Sequence, residues 1–235
     1  MSLKAYNLLQ EVEVVAGYTT YIELIDSLLT SSQQIIKTGM GQEKERAETA
    51  INLARQGKEV AVVSSGDPGI YGLAGLVLEM LSSKKLNIEV EVIPGITAAT
   101  AAASSLGAPL MHDQAIISLS DLLTPWEIIE DRLYKAAAGD FITTLYNPRS
   151  KTRTEQIKQA QKIFLQHRKP TTPVGIVRSA RRGSEEITFS DLADMLDQPI
   201  DMLTTVIIGN SETFVEENFM YTEAGVMITP RGYDL

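Results

Sequence analysis

The chain contains no cysteine, two histidines and one tryptophan. Without thiols, disulfides, thiolate nucleophiles and cysteine-bound zinc are all excluded. His112 and His167 stand alone in the sequence, so no histidine metal site is expected. No apolar run approaches the ~20 residues of a membrane-spanning helix, and no signal peptide precedes the first predicted helix. The expectation is a cytoplasmic protein with no membrane partner. Aromatic residues make up only 6% of the chain. What is present is ordinary globular material: 235 residues, 44% of them hydrophobic, enough for one large domain or two small ones.

Charge is unevenly spread. The formal net charge is −9, yet the stretch from Tyr146 to Arg182 carries ten Lys and Arg against one acidic residue, Glu155. A basic region inside an acidic protein suits a polyanionic ligand. Lys158, Lys162, Arg168 and Lys169 lie on or just after an amphipathic helix and read as its solvated face. Arg149, Lys151, Arg153, Arg178, Arg181 and Arg182 follow two predicted strands and are not explained that way.

Strand-like and helix-like segments alternate along the chain, which indicates an α/β fold with a largely parallel sheet. Strands are predicted at Val12–Ala16, Glu59–Ser64 and Ile88–Ile93. Helices are predicted at Tyr21–Leu29, Glu43–Gln56, Tyr71–Ser83 and Thr97–Leu106; in the second of these Ala47, Ala50, Ile51 and Ala54 share one face. Ala108–Asp113 reads as a linker, dividing an N-terminal domain of residues 1–110 from a C-terminal domain of residues 111–235. Beyond it strands are expected at Ala115–Leu119, Phe141–Tyr146, Val174–Val177, Glu186–Phe189 and Thr204–Ile208, in a sheet of mixed direction. A helix follows Thr124, with Thr124 as N-cap, Pro125 at N1 and Glu127 at N3 of a capping box. Thr154–His167 is a further helix.

Two turns carry chemistry. Val60–Tyr71 runs from an apolar strand through Gly66-Asp67-Pro68-Gly69 into a helix. Ligands of parallel sheets sit outside the carboxyl ends of the strands. Gly66 and Gly69 permit close backbone approach, and Pro68 pushes Asp67 into an extended conformation. Asp67 can cap the following helix or face a ligand. The second turn, Ile93-Pro94-Gly95-Ile96-Thr97-Ala98, makes the ligand-facing role the stronger reading.

The segments SSGDPGIYG, VIPGITAAT, ISLSDLLTPWE, LYNPRSKTR, TTVIIGNS and ITPRGY together resemble the tetrapyrrole (precorrin) methyltransferases. The likeness is strongest to the subgroup that methylates C17 of precorrin-3B or cobalt-precorrin-3 in vitamin B12 synthesis. It implies two α/β domains with a cofactor and substrate cleft between them. It also implies S-adenosylmethionine as methyl donor, bound by Ser65, Gly66, Asp67, Ile70, Thr97, Ala98, Tyr146, Asn147, Ser179 and Ala180. The substrate implied is a polycarboxylate macrocycle, gripped by Arg149, Lys151, Arg153, Arg181 and Arg182, and a homodimer is expected. Ring contraction needs an acid or base, for which Asp121, His112 and Tyr146 are the candidates. Asp121 reads equally well as a satisfied loop carboxylate, and His112 as a linker histidine. The family begins with a strand and a Gly-x-Gly-Pro-Gly-like loop, whereas this chain starts at MSLKAYNLLQ; the first strand is expected to be missing, with weakened cofactor binding.

Two other readings stay open at this point. A related fold methylates RNA, but aromatic residues are not interleaved with the basic ones here, and no nucleic-acid partner is expected. A methyltransferase acting on another precorrin carbon, or a non-catalytic corrinoid or adenosyl-ligand binder, would share the same turns.

Overall fold

The computed structural model describes residues 1–217 and 225–234. Contacts divide it into two units, Met1–Thr97 and Ala98–Leu235. The division falls at 97/98 rather than at the expected 110, because the helix after Thr97 packs with the second unit.

The first unit runs α1 (Leu3–Glu11), β1 (Val14–Tyr18), α2 (Thr19–Glu23), β2 (Gln34–Thr38), α3 (Glu43–Arg55), β3 (Val60–Val63) and α4 (Ala74–Ser83). Its three strands form a parallel sheet in the order β2-β1-β3. Parallel strands need crossovers, and α3 carries the chain from β2 past β1 to β3. Glu43 and Glu45 in its first turn and Arg55 in its last match the helix dipole. Its apolar face buries Ala47 and Ile51 against Met80 and Leu81 of α4. Leu9, Val15 and Ile22 form a second cluster under α1.

Two expectations fail in this unit. The helix predicted over Tyr21–Leu29 is only α2 followed by a single 3-10 turn, Asp26–Leu28. Ile88–Ile93, predicted as a strand, pairs with no neighbour among the described residues. Its alternating Val90 and Val92 are 41% and 43% exposed, so the pattern suits a strand but the ladder that defines one is not made.

The second unit runs α5 (Ala98–Leu106), β4 (Gly107–Ala108), β5 (Gln114–Ser118), α6 (Trp126–Ala138), β6 (Ile142–Tyr146), α7 (Glu155–Leu165), β7 (Pro173–Arg178), β8 (Glu186–Asp191), β9 (Thr204–Ile208), β10 (Phe214–Glu216) and β11 (Val226–Ile228). Its main sheet has the order β5-β6-β9-β7-β8, with β5 and β6 parallel and the other pairs antiparallel. The mixed direction expected from the sequence is therefore present. A small sheet, β10-β11-β4, accompanies it. On one face of the main sheet α6 and α7 bury Ile129, Leu133, Ile157 and Phe164; on α5, Ala102, Ala103 and Leu106 pack with Val177 and Ile207. Gly175 lets the strand lie against Leu106, since a Cβ there would fall 2.4 Å from its methyl carbon.

Two further expectations are corrected here. The capping box at Thr124 does not form: Pro125 is itself the N-cap, the helix begins at Trp126, and no side chain caps it. Glu127 then falls one position short of the N3 place the box requires. Arg168, read as part of a solvated helix face, is buried: its guanidinium pairs with Asp140 at 2.8 Å and donates to the carbonyls of Gly209 and Phe141. It ties the end of α7 to the strand ends beside it. Trp126, partly buried, packs against the main core.

Candidate functional site

In the first unit the two turns expected to hold the cofactor are one object. The Asp67 carboxylate accepts the Gly69 N–H (2.8 Å) within its own turn and the Gly95 N–H (2.9 Å) of the other. Backbone contact is close as well: a Cβ on Gly95 would lie 2.1 Å from the Gly66 carbonyl oxygen. Gly66 sits at φ +75°, a conformation that glycine adopts without penalty. Hydrogen bonds from Gly95, then Gly69, then Ile70 hold the Asp67 carboxyl below its ordinary pKa despite some desolvation. Asp67 is thus more than a plain helix cap. It is the clasp between two loops. Ser64 Oγ accepts the Leu73 N–H, and Pro68 O accepts the Ala74 N–H, closing the same turn onto α4. Gly66 N–H keeps no acceptor among the described residues.

In the second unit the candidate residues follow strands that finish or begin at one end of the main sheet. Ser118 and Tyr146 are register partners at the ends of β5 and β6, and β7 ends beside the start of β9. The Tyr146 hydroxyl accepts the Ala99 N–H at 2.6 Å, satisfying one free donor of the first turn of α5. Ala98 N–H, at the start of that helix, has no acceptor among the described residues. Asn147 Nδ2 donates to Ser118 Oγ (2.9 Å) and Ser179 N–H to Leu203 O (2.9 Å). Asn147, Ser179 and Arg181 adopt φ of +50°, +53° and +55°. Such conformations cost ~1–3 kcal/mol each in ordinary residues and concentrate at functional turns. Tyr71, at φ +54°, marks the first-unit turn in the same way.

The basic residues separate into two groups. Arg153 is engaged: its guanidinium donates to Asn147 O (2.7 Å), reaches Ser120 Oγ (3.5 Å) and lies 3.7 Å from Met202 Sδ. Arg181 is engaged too, donating to Ser104 Oγ and Ser104 O at the end of α5, with its N–H on Glu185. Arg182 donates its N–H to Ser179 O, which keeps the strained turn closed. Of the candidate substrate-binding cations, Arg149 and Lys151 are exposed and without a partner among the described residues. Arg178, noted in the sequence only as part of the basic stretch, completes the scaffold with Asp201, which the sequence reading missed. Arg178 is raised in pKa by its hydrogen bond to Asp201 and that residue's charge. Burial draws the Asp201 carboxyl upward, but bonds from Arg178, Leu203 N–H and Thr204 outweigh it and hold it low. No sequence spacing announces that pair.

Of the acid/base candidates, Asp121 accepts from Gln156 Nε2 at 2.8 Å, an arrangement that fits its reading as a loop carboxylate. His112 is exposed, with Nδ1 accepting the Asp113 N–H. Among the described residues no group of His, Asp and Glu could hold a metal ion, and no helix is long and apolar enough to cross a membrane.

Against known proteins, the profile of the tetrapyrrole (corrin/porphyrin) methylases matches residues 1–196. The chain belongs to this family. It is 50% identical over 235 residues to a probable cobalt-factor III C(17)-methyltransferase of Salmonella typhimurium, covering 100% of this chain and 94% of that protein. It is 53% identical over 234 residues to a cobalt-factor III methyltransferase of Priestia megaterium, covering 98% of this chain but 42% of the relative. The crystal structure of the methyltransferase CobJ matches with a TM-score of 0.89 at 34% identity, over 98% of this chain and 93% of that one.

Proposed function

We propose that this chain transfers a methyl group from S-adenosylmethionine to C17 of a cobalt-bound, precorrin-3-type tetrapyrrole, with ring contraction, in cobalamin biosynthesis. The observation that carries the reading is the 50% identity running end to end with the Salmonella relative, whose name specifies that carbon and that substrate. The two relatives are both named for cobalt-factor III, which favours the cobalt-loaded macrocycle over the metal-free one.

The residues present fit the cofactor. Gly66 and Ala98 hold unclaimed N–H donors at a strand-end turn and a helix N-terminus, positions that suit a carboxylate. Ser65, Asp67, Ile70 and Thr97 shape the first-unit turns, and Tyr146, Asn147, Ser179 and Ala180 are the second-unit contacts. When bound, the sulfonium supplies the electrophilic methyl group. The protein's part is chiefly alignment of that group with a nucleophilic ring carbon. Arg149 and Lys151 meet substrate carboxylates, while Arg153, Arg181 and Arg182 act by shaping the loops. Asp121, His112 and Tyr146 remain the proposed proton carriers for ring contraction, separable as Asp121→Asn, His112→Gln and Tyr146→Phe with methylation and contraction scored independently. A cytoplasmic homodimer completes the reading; light scattering reporting a mass of 25.7 kDa would reject the dimer.

The test is incubation with S-adenosylmethionine and cobalt-factor III, the product read by mass spectrometry and NMR. Gain of one methyl group at C17 is expected. Methylation at another carbon, or tight binding of both ligands without turnover, would overturn the assignment.

A further inference from the structure

The loop between β5 and α6 is anchored at several points yet displays the most exposed large apolar side chains among the described residues. Leu119 is fully buried and donates its N–H to Tyr146 O; Ser120 N–H bonds to Ser118 Oγ; Asp121 is held by Gln156; Trp126 packs into the core. Between these anchors Leu122 and Leu123 are 83% and 98% exposed. A floppy tip with two bare leucines is common. A pinned one forgoes burial it could have reached, which marks a contact surface.

The neighbours of this loop define what it contacts. A single guanidinium, that of Arg153, touches Ser120 of this loop, the Asn147 carbonyl of the turn after β6, and Met202 of the turn before β9. The three loops are therefore one surface. Its apolar part is Leu122, Leu123, Met202 and Leu203, the last two 42% and 48% exposed. The turn after β6 also carries Arg149 and Lys151, two exposed cations without a partner among the described residues. An apolar patch beside free cations matches a flat ring with carboxylates at its edge.

Building on the proposed function, we infer that Leu122 and Leu123, with Met202, form the seat for the face of the tetrapyrrole ring, and that Arg149 and Lys151 take its peripheral carboxylates. Arg153 is a positioning residue: it joins the three loops and does not itself bind a carboxylate. Ring selection thus rests on apolar contact as well as charge, a role the basic stretch alone does not suggest.

The experiment compares wild type, Leu122→Ser/Leu123→Ser and Leu123→Ala in absorbance titrations with cobalt-factor III and calorimetric titrations with S-adenosylhomocysteine. The double variant is expected to bind the macrocycle at least ~10-fold more weakly, the value of roughly one lost leucine contact. Its cofactor affinity and melting temperature are expected to stay unchanged. Leu123→Ala, at a residue almost wholly in solvent, cannot disturb folding and is expected to show a smaller loss in the same direction. Unchanged macrocycle affinity in both variants overturns the seat. Unchanged affinity together with a smaller mass in light scattering reassigns the leucines to contact between copies of the chain. Failure of wild type to bind cobalt-factor III would overturn the proposed function, and the seat with it.

Discussion

The two units lock their turns with opposite charges. In the first, a carboxylate does it: Asp67 gathers N–H groups from its own turn and from the Gly95 turn. In the second, a guanidinium does it: Arg153 gathers the Asn147 carbonyl and the Ser120 hydroxyl. An anionic clasp consumes backbone donors, and a cationic clasp consumes acceptors. The anionic clasp can also be undone by protons, whereas an arginine stays charged at any ordinary pH. Buried arginines differ between the units as well. Arg168 in the second unit is bonded on several sides, while Arg46 on α3 is 2% exposed with its Nε unbonded and no side-chain partner among the described residues. Burial of a charged group therefore says little about its worth until its partners are named.

The largest expected effect is at Arg168. Arg168→Met leaves the carbonyls of Gly209 and Phe141 without their donor and should cost about 3 kcal/mol of unfolding free energy, read by urea denaturation. Next comes the anionic clasp. Asp67→Ala should weaken S-adenosylhomocysteine binding indirectly, because the two turns lose charge-assisted bonds worth roughly 1.5–3 kcal/mol to the fold. The pH dependence follows from the depressed carboxyl. Its contribution is fully present above the unfolded value of about 3.9 and disappears as pH falls through the lower folded value. The clasp's contribution to folding stability should therefore hold from neutral pH to about 5 and fall only in stronger acid, and Asp67→Asn should remove that fall. Arg149→Ala or Lys151→Ala should weaken macrocycle binding by about 0.5–1 kcal/mol, more at low salt, and spare the cofactor. Smallest is Arg46→Met, expected to leave stability unchanged or raise it slightly, since a buried cation without partners is replaced by an apolar stem. A large loss there would mean that Arg46 has a partner in solution.

Much of the architecture was readable from periodicity and turn chemistry. Thr204–Ile208 and Glu43–Arg55 form where the apolar pattern places them. Ile88–Ile93 was misread because alternation shows the capacity to pair, whereas a strand needs a neighbour at its edge. The helix start at Trp126 was misread by one residue because Pro125 fits either N1 or the N-cap by its φ alone. Candidate site residues were legible as turns, yet their employment was not. Arg153 and Arg149 look alike in sequence, and only the fold shows one bonded into three loops and the other free. Asp67 stood out in its turn, but its partner Gly95 stands in a separate loop, beyond any local spacing rule.

The most direct measurement is a crossed titration: wild type, Asp67→Ala and Arg149→Ala/Lys151→Ala, each against S-adenosylhomocysteine and cobalt-factor III separately. Loss of cofactor affinity alone at Asp67, and of macrocycle affinity alone at Arg149 and Lys151, is the predicted result. Equal loss of both ligands in either variant, or loss of neither, would contradict the assignment of the clasped turn to the cofactor and the free cations to the substrate.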